Sequence, residues 1–376
     1  MLLSICIPTY DRPLRVEAAL RRYEQIIAKN GLEDKVEICI SDNTPTNETH
    51  NVVEKFVNEG KIELRYRQNK ENLGYDGNGP LAMGMARGKY LHLVADEDLY
   101  LEKKLVEYVN VLESEKPDCI IISDHKMAVP GPRWYNVAEG EILGKMLAMH
   151  GVDTYFFAPL SCMIMKTDDF HQFDKMIGGA PGIFLGSIFS HVPVCLLALK
   201  QARSAYVTEE HFREIEDATK RISTTLVHLP HNSFRMVLER YFNAMKKSVE
   251  IGLIGKDDYA IFLDRFFWHG IYYLFTVRVC MGPEVMKIDR DETVKYAFVF
   301  ADNYGLVGAR RMIFSSYVSL LYSALPYHWI YATRTWYLKN VKKQDVTDIL
   351  QIRKGKFAEK KKFEAFEDRE PEEYRK

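Results

Sequence analysis

Short apolar runs rich in Val, Ile and Leu alternate with helix-patterned segments through the first third of the chain, and each run stops in polar residues. "LLSICIP" is ended by Pro8. "VEAALRRYEQIIAKNG" has helical spacing and a Gly31 stop, and "VEICISDN" is a second strand with a polar end. "ETHNVVEKFVNEG" then reads as helix, "IELRYRQN" as strand, "GNGPLAMGMARG" as a helix of small residues and "YLHLVADED" as strand. "LEKKLVEYVNVLESEKP" follows as helix and "DCIIISDHK" as strand. Strand and helix at this rhythm predict a doubly wound α/β domain, because a parallel crossover needs a helix to return the chain. Ligands of such sheets lie beyond the carboxyl ends of the strands.

The polar clusters obey that rule. The first strand ends in Thr9, Tyr10, Asp11 and Arg12, the second in Ser41, Asp42 and Asn43, and the fourth in Asp96, Glu97 and Asp98. All are expected on one edge of the sheet. Asp42 and Asn43 alone also suit a turn or helix cap. Consecutive carboxylates repel one another, so the acidic cluster must stay solvated or be neutralised by a cation. A divalent ion such as Mg²⁺ or Mn²⁺ accounts for it, since hard cations take carboxylate oxygens and share their coordination with substrate phosphates.

Composition narrows the function classes. With 376 residues, 47% hydrophobic and 27% charged, the chain has an ordinary globular composition and enough length for more than one domain. A formal net charge of -1 argues against nucleic-acid binding through bulk electrostatics. The six cysteines are scattered, without a CxxC pair or metal-ligand spacing, and read as reduced core thiols of a cytosolic protein. "MLLSICIPTYDRP" lacks the basic region and the length of a signal peptide, and no stretch reaches the ~20 apolar residues of a membrane span.

"SICIPTYDRP", "EICISDNTPTNET" and "RQNKENLGYDGNGPLAMGMARGKYLHLVADEDLYLEKKL" together resemble, in order and spacing, the nucleotide-sugar-binding half of family 2 glycosyltransferases with the GT-A fold. The resemblance covers roughly the first third of the chain. It implies a donor site made of Pro8, Thr9, Tyr10, Arg12, Asp42, Asn43, Asn72, Gly74, Asp96 and Glu97. Tyr10 would border the base, Asp42 would accept a hydrogen bond from it, and Asn72 and Gly74 would shape the loop below the sugar nucleotide. Asp96 and Asp98 would serve ribose and a Mn²⁺ or Mg²⁺ ion on the diphosphate. It implies an inverting, metal-dependent transfer of sugar from a UDP- or dTDP-sugar to a hydroxyl of a glycan or lipid-linked acceptor in cell-surface polysaccharide synthesis.

Inversion requires a base for the acceptor hydroxyl. Many relatives carry a Glu-Asp motif for this; at the comparable distance this chain reads "GGAPGIFLGSIFSHVPVCLLALK", with His191 and no carboxylate. His191 is the candidate base, its ordinary pKa suiting the task. Asp168 and Asp169 compete for the role, as do Glu209, Glu210 and His211.

Beyond residue 215 the pattern turns to aromatic-rich helices, giving expected domains at 1–215 and 216–350 and a charged tail at 351–376. Within 309–343, Arg310, Arg311, Arg334, Lys339, Lys342 and Lys343 accompany Trp329 and Trp336. That segment either rests on the inner face of the cell membrane or closes the helical domain. Two other functions fit parts of the pattern: a nucleotidyltransferase acting on sugar phosphates, and an inactive sugar-nucleotide-binding module. The first would need a glycine-rich phosphate loop after the first strand, and "PTYDRP" contains no glycine.

Overall fold

A computed structural model of the chain describes residues 1–122, 133–149, 160–179, 189–208, 213–215, 240–263 and 308–321, with single positions between 184 and 187 and between 298 and 340. It divides into two compact units, one of residues 1–221 with 243–265, the other of residues 222–242 with 266–376. In the first unit the strands are β1 (Leu3–Thr9), β2 (Val36–Asp42), β3 (Glu63–Gln68), β4 (Tyr90–Leu93), β5 (Asp98–Tyr100), β6 (Cys119–Ile122), β7 (Arg133–Asn136), β8 (Met163–Lys166), β9 (Ser204–Thr208) and β10 (Arg213–Ile215). The helices of that unit that concern the site are α1 (Pro13–Asn30), α2 (Glu48–Glu59), α3 (Gly74–Gly84), α4 (Glu102–Ser114), α5 (Glu141–Met149), α6 (Thr167–Met176) and α7 (His191–Gln201).

The main sheet runs β3-β2-β1-β4-β8-β6-β9-β7. β3, β2, β1 and β4 are parallel, as the alternation predicts, but β8 enters antiparallel between β4 and β6, and β7 closes the far edge antiparallel to β9. The sheet is therefore mixed. From β1 the chain steps outward through β2 and β3, then returns to place β4 on the other side of β1. The crevice between β1 and β4 is a topological switch point, where ligands of open α/β sheets bind.

Alternating side chains give the two faces of the sheet different characters. Leu3, Ile5 and Ile7 of β1 and Val36, Ile38 and Ile40 of β2 build a buried core with Val16, Leu20, Tyr23 and Ile27 of α1 and Leu105, Tyr108 and Leu112 of α4. The intervening residues are Ser4 and Cys6 of β1 and Glu37 and Cys39 of β2, all buried, and Glu37 Oε1 accepts from the Ser4 hydroxyl at 2.5 Å. Against β1 and β2 lies α3, with Gly77, Gly79 and Ala82 among its buried residues. The five described cysteines are buried free thiols; Cys280 lies outside the described residues.

Two local devices shape the carboxyl edge. Pro8 lacks a backbone N–H, yet it sits in a central strand. The Cys6 carbonyl accepts from Val94, and Pro8, two residues on, faces the same side beyond the last rung of β4, where the ladder needs no donor. Asp11 takes a left-handed conformation (φ 55°) and its amide donates to the Thr44 hydroxyl at 2.8 Å. This turns the chain back so that α1 begins at once, with Pro13 in its first turn.

The apolar run of the fourth strand is shorter in the fold than its composition predicts. It leaves the sheet after Leu93; Asp98 starts a separate strand, β5, paired antiparallel with β10. The acidic residues thus occupy the turn between two strands. Apart from Phe242, α8 (Phe242–Glu250) belongs to the first unit, whereas α9 (Gly308–Ser319) lies in the second; both fall inside segments that the sequence marks as helical. The other expected C-terminal helices lie largely outside the described residues.

At the opposite edge, Gly88 passes so close to β1 that an added Cβ would stand 2.8 Å from the Ser4 amide nitrogen and 3.0 Å from the Leu3 carbonyl carbon. Backbone cannot yield as a flexible side chain does. Gly88→Ala should therefore cost roughly 1–3 kcal/mol of stability by overpacking, read as a lower denaturant midpoint at unchanged slope.

Candidate functional site

The carboxyl ends of β1 and β4 meet through Asp96. This residue is 4% exposed; its Oδ2 accepts from the Thr9 hydroxyl at 2.7 Å and its Oδ1 from the Arg12 guanidinium at 2.8 Å. Arg12 reaches on to Glu97 at 3.4 Å, and Arg15, one turn along α1, forms a short ion pair with the same carboxylate. Among the described residues, the cations paired with Asp96 and Glu97 are these two arginines. Asp98, 7% exposed, accepts from the Ser161 hydroxyl at 2.7 Å, while its backbone carbonyl accepts from the Tyr23 hydroxyl at 3.2 Å.

Asp42 ends β2 fully buried. Its Oδ2 accepts from the Tyr66 hydroxyl at 2.8 Å and its Oδ1 from the Thr44 amide at 2.8 Å and the Thr44 hydroxyl. Burial and the Asp42 carboxylate push the Tyr66 pKa up, so the phenol stays the donor in this pair. Tyr10 and Pro8 are half-buried on the β1 side of the crevice.

A set of asparagines joins the two halves of this edge. Asn69, at the end of β3, donates to Asn43 Oδ1 at 2.9 Å and Asn78 Oδ1 at 3.1 Å; Asn78 donates to the Thr9 carbonyl at 3.0 Å. Asn43 donates to Asn72 Oδ1 at 3.0 Å and to the Gly74 carbonyl at 3.1 Å. Asn72 Oδ1 also accepts from the Gly74 amide at 3.0 Å, holding Gly74 at φ 64°, which glycine adopts without strain. Every residue named for the donor site thus falls on one edge, as the strand-end rule requires.

The candidate bases separate. His191 begins α7, is 2% exposed, and its Nδ1 lies 2.9 Å from the Tyr75 hydroxyl, in the first turn of α3 at the donor edge. Next to it, Asp76 accepts from the Ser190 amide at 3.1 Å and so caps the start of α7. Asp169 is placed elsewhere. β8 runs against β4, Lys166 pairs with Tyr90 at the amino end of that strand, and the Thr167 amide bonds the Lys89 carbonyl. The first turn of α6, with Asp168 and Asp169, therefore sits at the opposite edge of the sheet from Asp96, which removes both from the donor edge. Glu209, Glu210 and His211 lie outside the described residues.

Arg15, Thr44, Tyr66, Asn69, Asn78 and Ser161 escaped the sequence reading. Asn69 ends a strand as Asn43 does, so the same rule could have found it; nothing in the sequence marks Ser161. Among the described residues no three His, Cys, Asp or Glu side chains stand close enough to hold a metal unaided. Asp96 is engaged by Thr9 and Arg12, and Asp98 by Ser161.

Residues 4–167 match the family model described as Glycosyl transferase family 2. The chain is 29% identical over 220 residues to an abequosyltransferase of Salmonella typhimurium, a match covering 52% of this chain and 63% of that protein. It is 24% identical over 122 residues to an uncharacterized glycosyltransferase of Methanocaldococcus jannaschii, covering 32% of this chain and 41% of that one. The chain thus spans less than two thirds of either curated relative. The crystal structure of residues 1–349 of TarS from S. aureus superposes with a TM-score of 0.53 at 15% identity, over 89% of this chain and 91% of that one. The same fragment in complex with UDP-GlcNAc superposes with a TM-score of 0.50 at 16% identity, over 89% and 92%. At such identities the likeness is one of fold.

Two predictions follow from these placements. Asn69→Ala strands the buried Oδ1 atoms of Asn43 and Asn78 and should cost about 1–3 kcal/mol in chemical denaturation. Burial, reinforced by Asp118 and Asp168 and opposed by Lys166, raises the Asp169 pKa from 3.8 to about 6. The folded state therefore holds this proton more tightly than the unfolded state, and stability falls as pH rises from about 4 to about 6. Asp169→Asn removes that fall: its stability should exceed the wild type's by on the order of 2 kcal/mol at pH 7 and match it below pH 4, with turnover unchanged.

Proposed function

We propose, for a chain whose residues 4–167 match the family model described as Glycosyl transferase family 2, an inverting glycosyltransferase that moves a sugar from a nucleoside-diphosphate donor to a hydroxyl of a glycan or lipid-linked acceptor in surface-polysaccharide synthesis. The observation that carries this is the convergence of Thr9, Arg12, Asp96 and Asp98 at the β1/β4 switch point, with the Asn43–Asn72–Gly74 loop beside it. The Salmonella relative, named as an abequosyltransferase, supports sugar transfer; the TarS complex with UDP-GlcNAc supports a uridine nucleotide.

In this proposal Tyr10 borders the base. Asp42 accepts the imide N–H that uracil and thymine share, on an oxygen already held by Tyr66 or Thr44, which suits UDP or dTDP. Thr9 and Arg12 hold Asp96 where it meets the ribose, and Glu97 keeps Arg12 and Arg15 at the mouth of the crevice. A Mn²⁺ or Mg²⁺ ion, held by Asp98 and the donor, would stabilise the charge that develops on the leaving diphosphate. His191 takes the acceptor proton.

A peripheral place at the cytoplasmic face of the membrane belongs to the same proposal. No helix among the described residues is long and apolar enough to cross a membrane. In the second unit, however, Met312, Ile313, Leu320, Trp329 and Trp336 are exposed, in a stretch whose sequence also holds Arg311, Arg334 and Lys339. Exposed tryptophan with basic neighbours suits a headgroup layer.

Differential scanning with UDP, dTDP and GDP, each with Mn²⁺ or with EDTA, tests donor and ion together. UDP or dTDP with Mn²⁺ should raise the stability by about 2.7 kcal/mol at one hundred times Kd, and Asp98→Ala or EDTA should abolish the shift. Stabilisation that survives both would reject the cation. Sedimentation with anionic vesicles should be lost at high salt and in the Arg310, Arg311, Lys342 and Lys343 to Ser variant; indifference to vesicles at low salt would assign the segment to domain closure.

A further inference from the structure

His191 poses a geometric difficulty as a base. At 2% exposure its ring stands behind the crevice surface, with Phe189 packed at 6.2 Å, and an acceptor hydroxyl has to come to it through something. Tyr75 is that something by position. It is half-buried, belongs to the first turn of α3, follows directly on Gly74, and its hydroxyl meets His191 Nδ1 at 2.9 Å with the rings edge to face at 83°. We propose that Tyr75 is a catalytic residue of this site, relaying the acceptor's proton to His191, so that the base consists of the Tyr75–His191 pair. This rests on the glycosyl-transfer function proposed above.

The chemistry selects a direction for the bond. A phenol is the better donor and an imidazole nitrogen the better acceptor, so the Tyr75 O–H donates to Nδ1 and the neutral ring carries its hydrogen on Nε2. Burial, with the Asp76 carboxylate nearby, pushes the Tyr75 pKa well above its ordinary value, which keeps the hydroxyl protonated and excludes a resting phenolate. During transfer the acceptor oxygen forms its bond to the anomeric carbon while the bond to the leaving diphosphate breaks. The acceptor's proton passes to the Tyr75 oxygen as the Tyr75 proton passes to Nδ1. The products are the glycoside, the nucleoside diphosphate and an imidazolium at His191, with Tyr75 a phenol again. No free phenolate forms, so its high pKa is no obstacle.

The surroundings serve the imidazolium. The start of α7 disfavours a positive charge, since the helix N-terminus is the positive end of its dipole. Asp76, fully buried, sets a carboxylate against that end through the Ser190 amide at 3.1 Å and the Ser187 hydroxyl at 3.3 Å. From α7 itself and from the segment before β8, Cys195 and Cys162 face Tyr75; their mutual hydrogen bond and burial push the Cys195 thiol pKa well up. Asp76 is thus the charged group, among the described residues, that turns toward the pair.

Three variants and two readouts test the relay. In long-range ¹H–¹⁵N spectra of histidine-labelled full-length protein, with His191→Gln for assignment, His191 should appear as the Nε2–H tautomer. An Nδ1–H tautomer would overturn the proposal, because Tyr75 would then only accept. Turnover is read as UDP release from UDP-GlcNAc, or from the nucleotide sugar that stabilises best. Wild-type kcat should rise with pH as the imidazolium deprotonates. Tyr75→Phe should lower kcat about 100-fold or more and flatten that rise, leaving the UDP dissociation constant unchanged. The Tyr75→Phe, His191→Gln double variant should lose no more than either single one. A Tyr75→Phe enzyme that keeps the rise, or costs that multiply, would show His191 acting directly and overturn the relay. Absence of turnover by the wild type with every nucleotide sugar would reject the glycosyl-transfer proposal itself, and the relay with it.

Discussion

The Asp96 carboxylate, clamped between the Thr9 hydroxyl and the Arg12 guanidinium, is the contact on which the carboxyl edge depends. A nearly buried carboxylate is costly without partners, and here the partners come from a different strand and a different turn. Thr9 is aimed by β1 running parallel to β4; Arg12 is aimed by the left-handed Asp11, tied to Thr44 at the end of β2. One ion pair therefore closes the crevice only if three strand ends are already in register. The asparagine set beside it reads out the same registration through Thr9, whose carbonyl accepts from both Asn43 and Asn78.

This changes the electrostatic account of the acidic cluster. Three neighbouring carboxylates need a counter-charge, and two arginines of the β1–α1 segment supply part of it. A cation is then not required to make the fold possible. Its place in the proposal is chemical: Asp98 would help to hold it with the donor, and it would stabilise charge on the leaving group. The distinction matters because a metal that holds a fold together and one that arrives with substrate behave differently under chelation.

The second face of the sheet positions the proposed Tyr75–His191 pair. Ser4, Cys6 and Cys39 are small there, and α3, packed on β1 and β2, delivers its first turn, Tyr75 and Asp76, to the carboxyl edge. Bulky side chains at those strand positions would lift α3 away and with it the hydroxyl that meets His191. Small residues in β1, β2 and α3 and the polar contacts of α7 belong to one arrangement.

The chain's local chemistry was enough to place β1, β2, β3 and β4 and to gather Thr9, Asp42, Asn43 and Asp96 at their ends, because strand periodicity and the carboxyl-edge rule depend on near neighbours in sequence. The mixed character of the sheet was not legible: β8 and β7 pair with strands far away in sequence, and nothing in "MIMK" or "RWYN" states the direction of a partner. The same blindness made Asp169 resemble a base. Its residue type and distance along the chain fit, but the antiparallel entry of β8 carries it to the wrong edge. Arg12 and Arg15 as counter-ions, Ser161 beside Asp98 and Tyr75 on His191 are contacts across 63 to 116 residues, which only the closed sheet and the packed helices bring within hydrogen-bond reach.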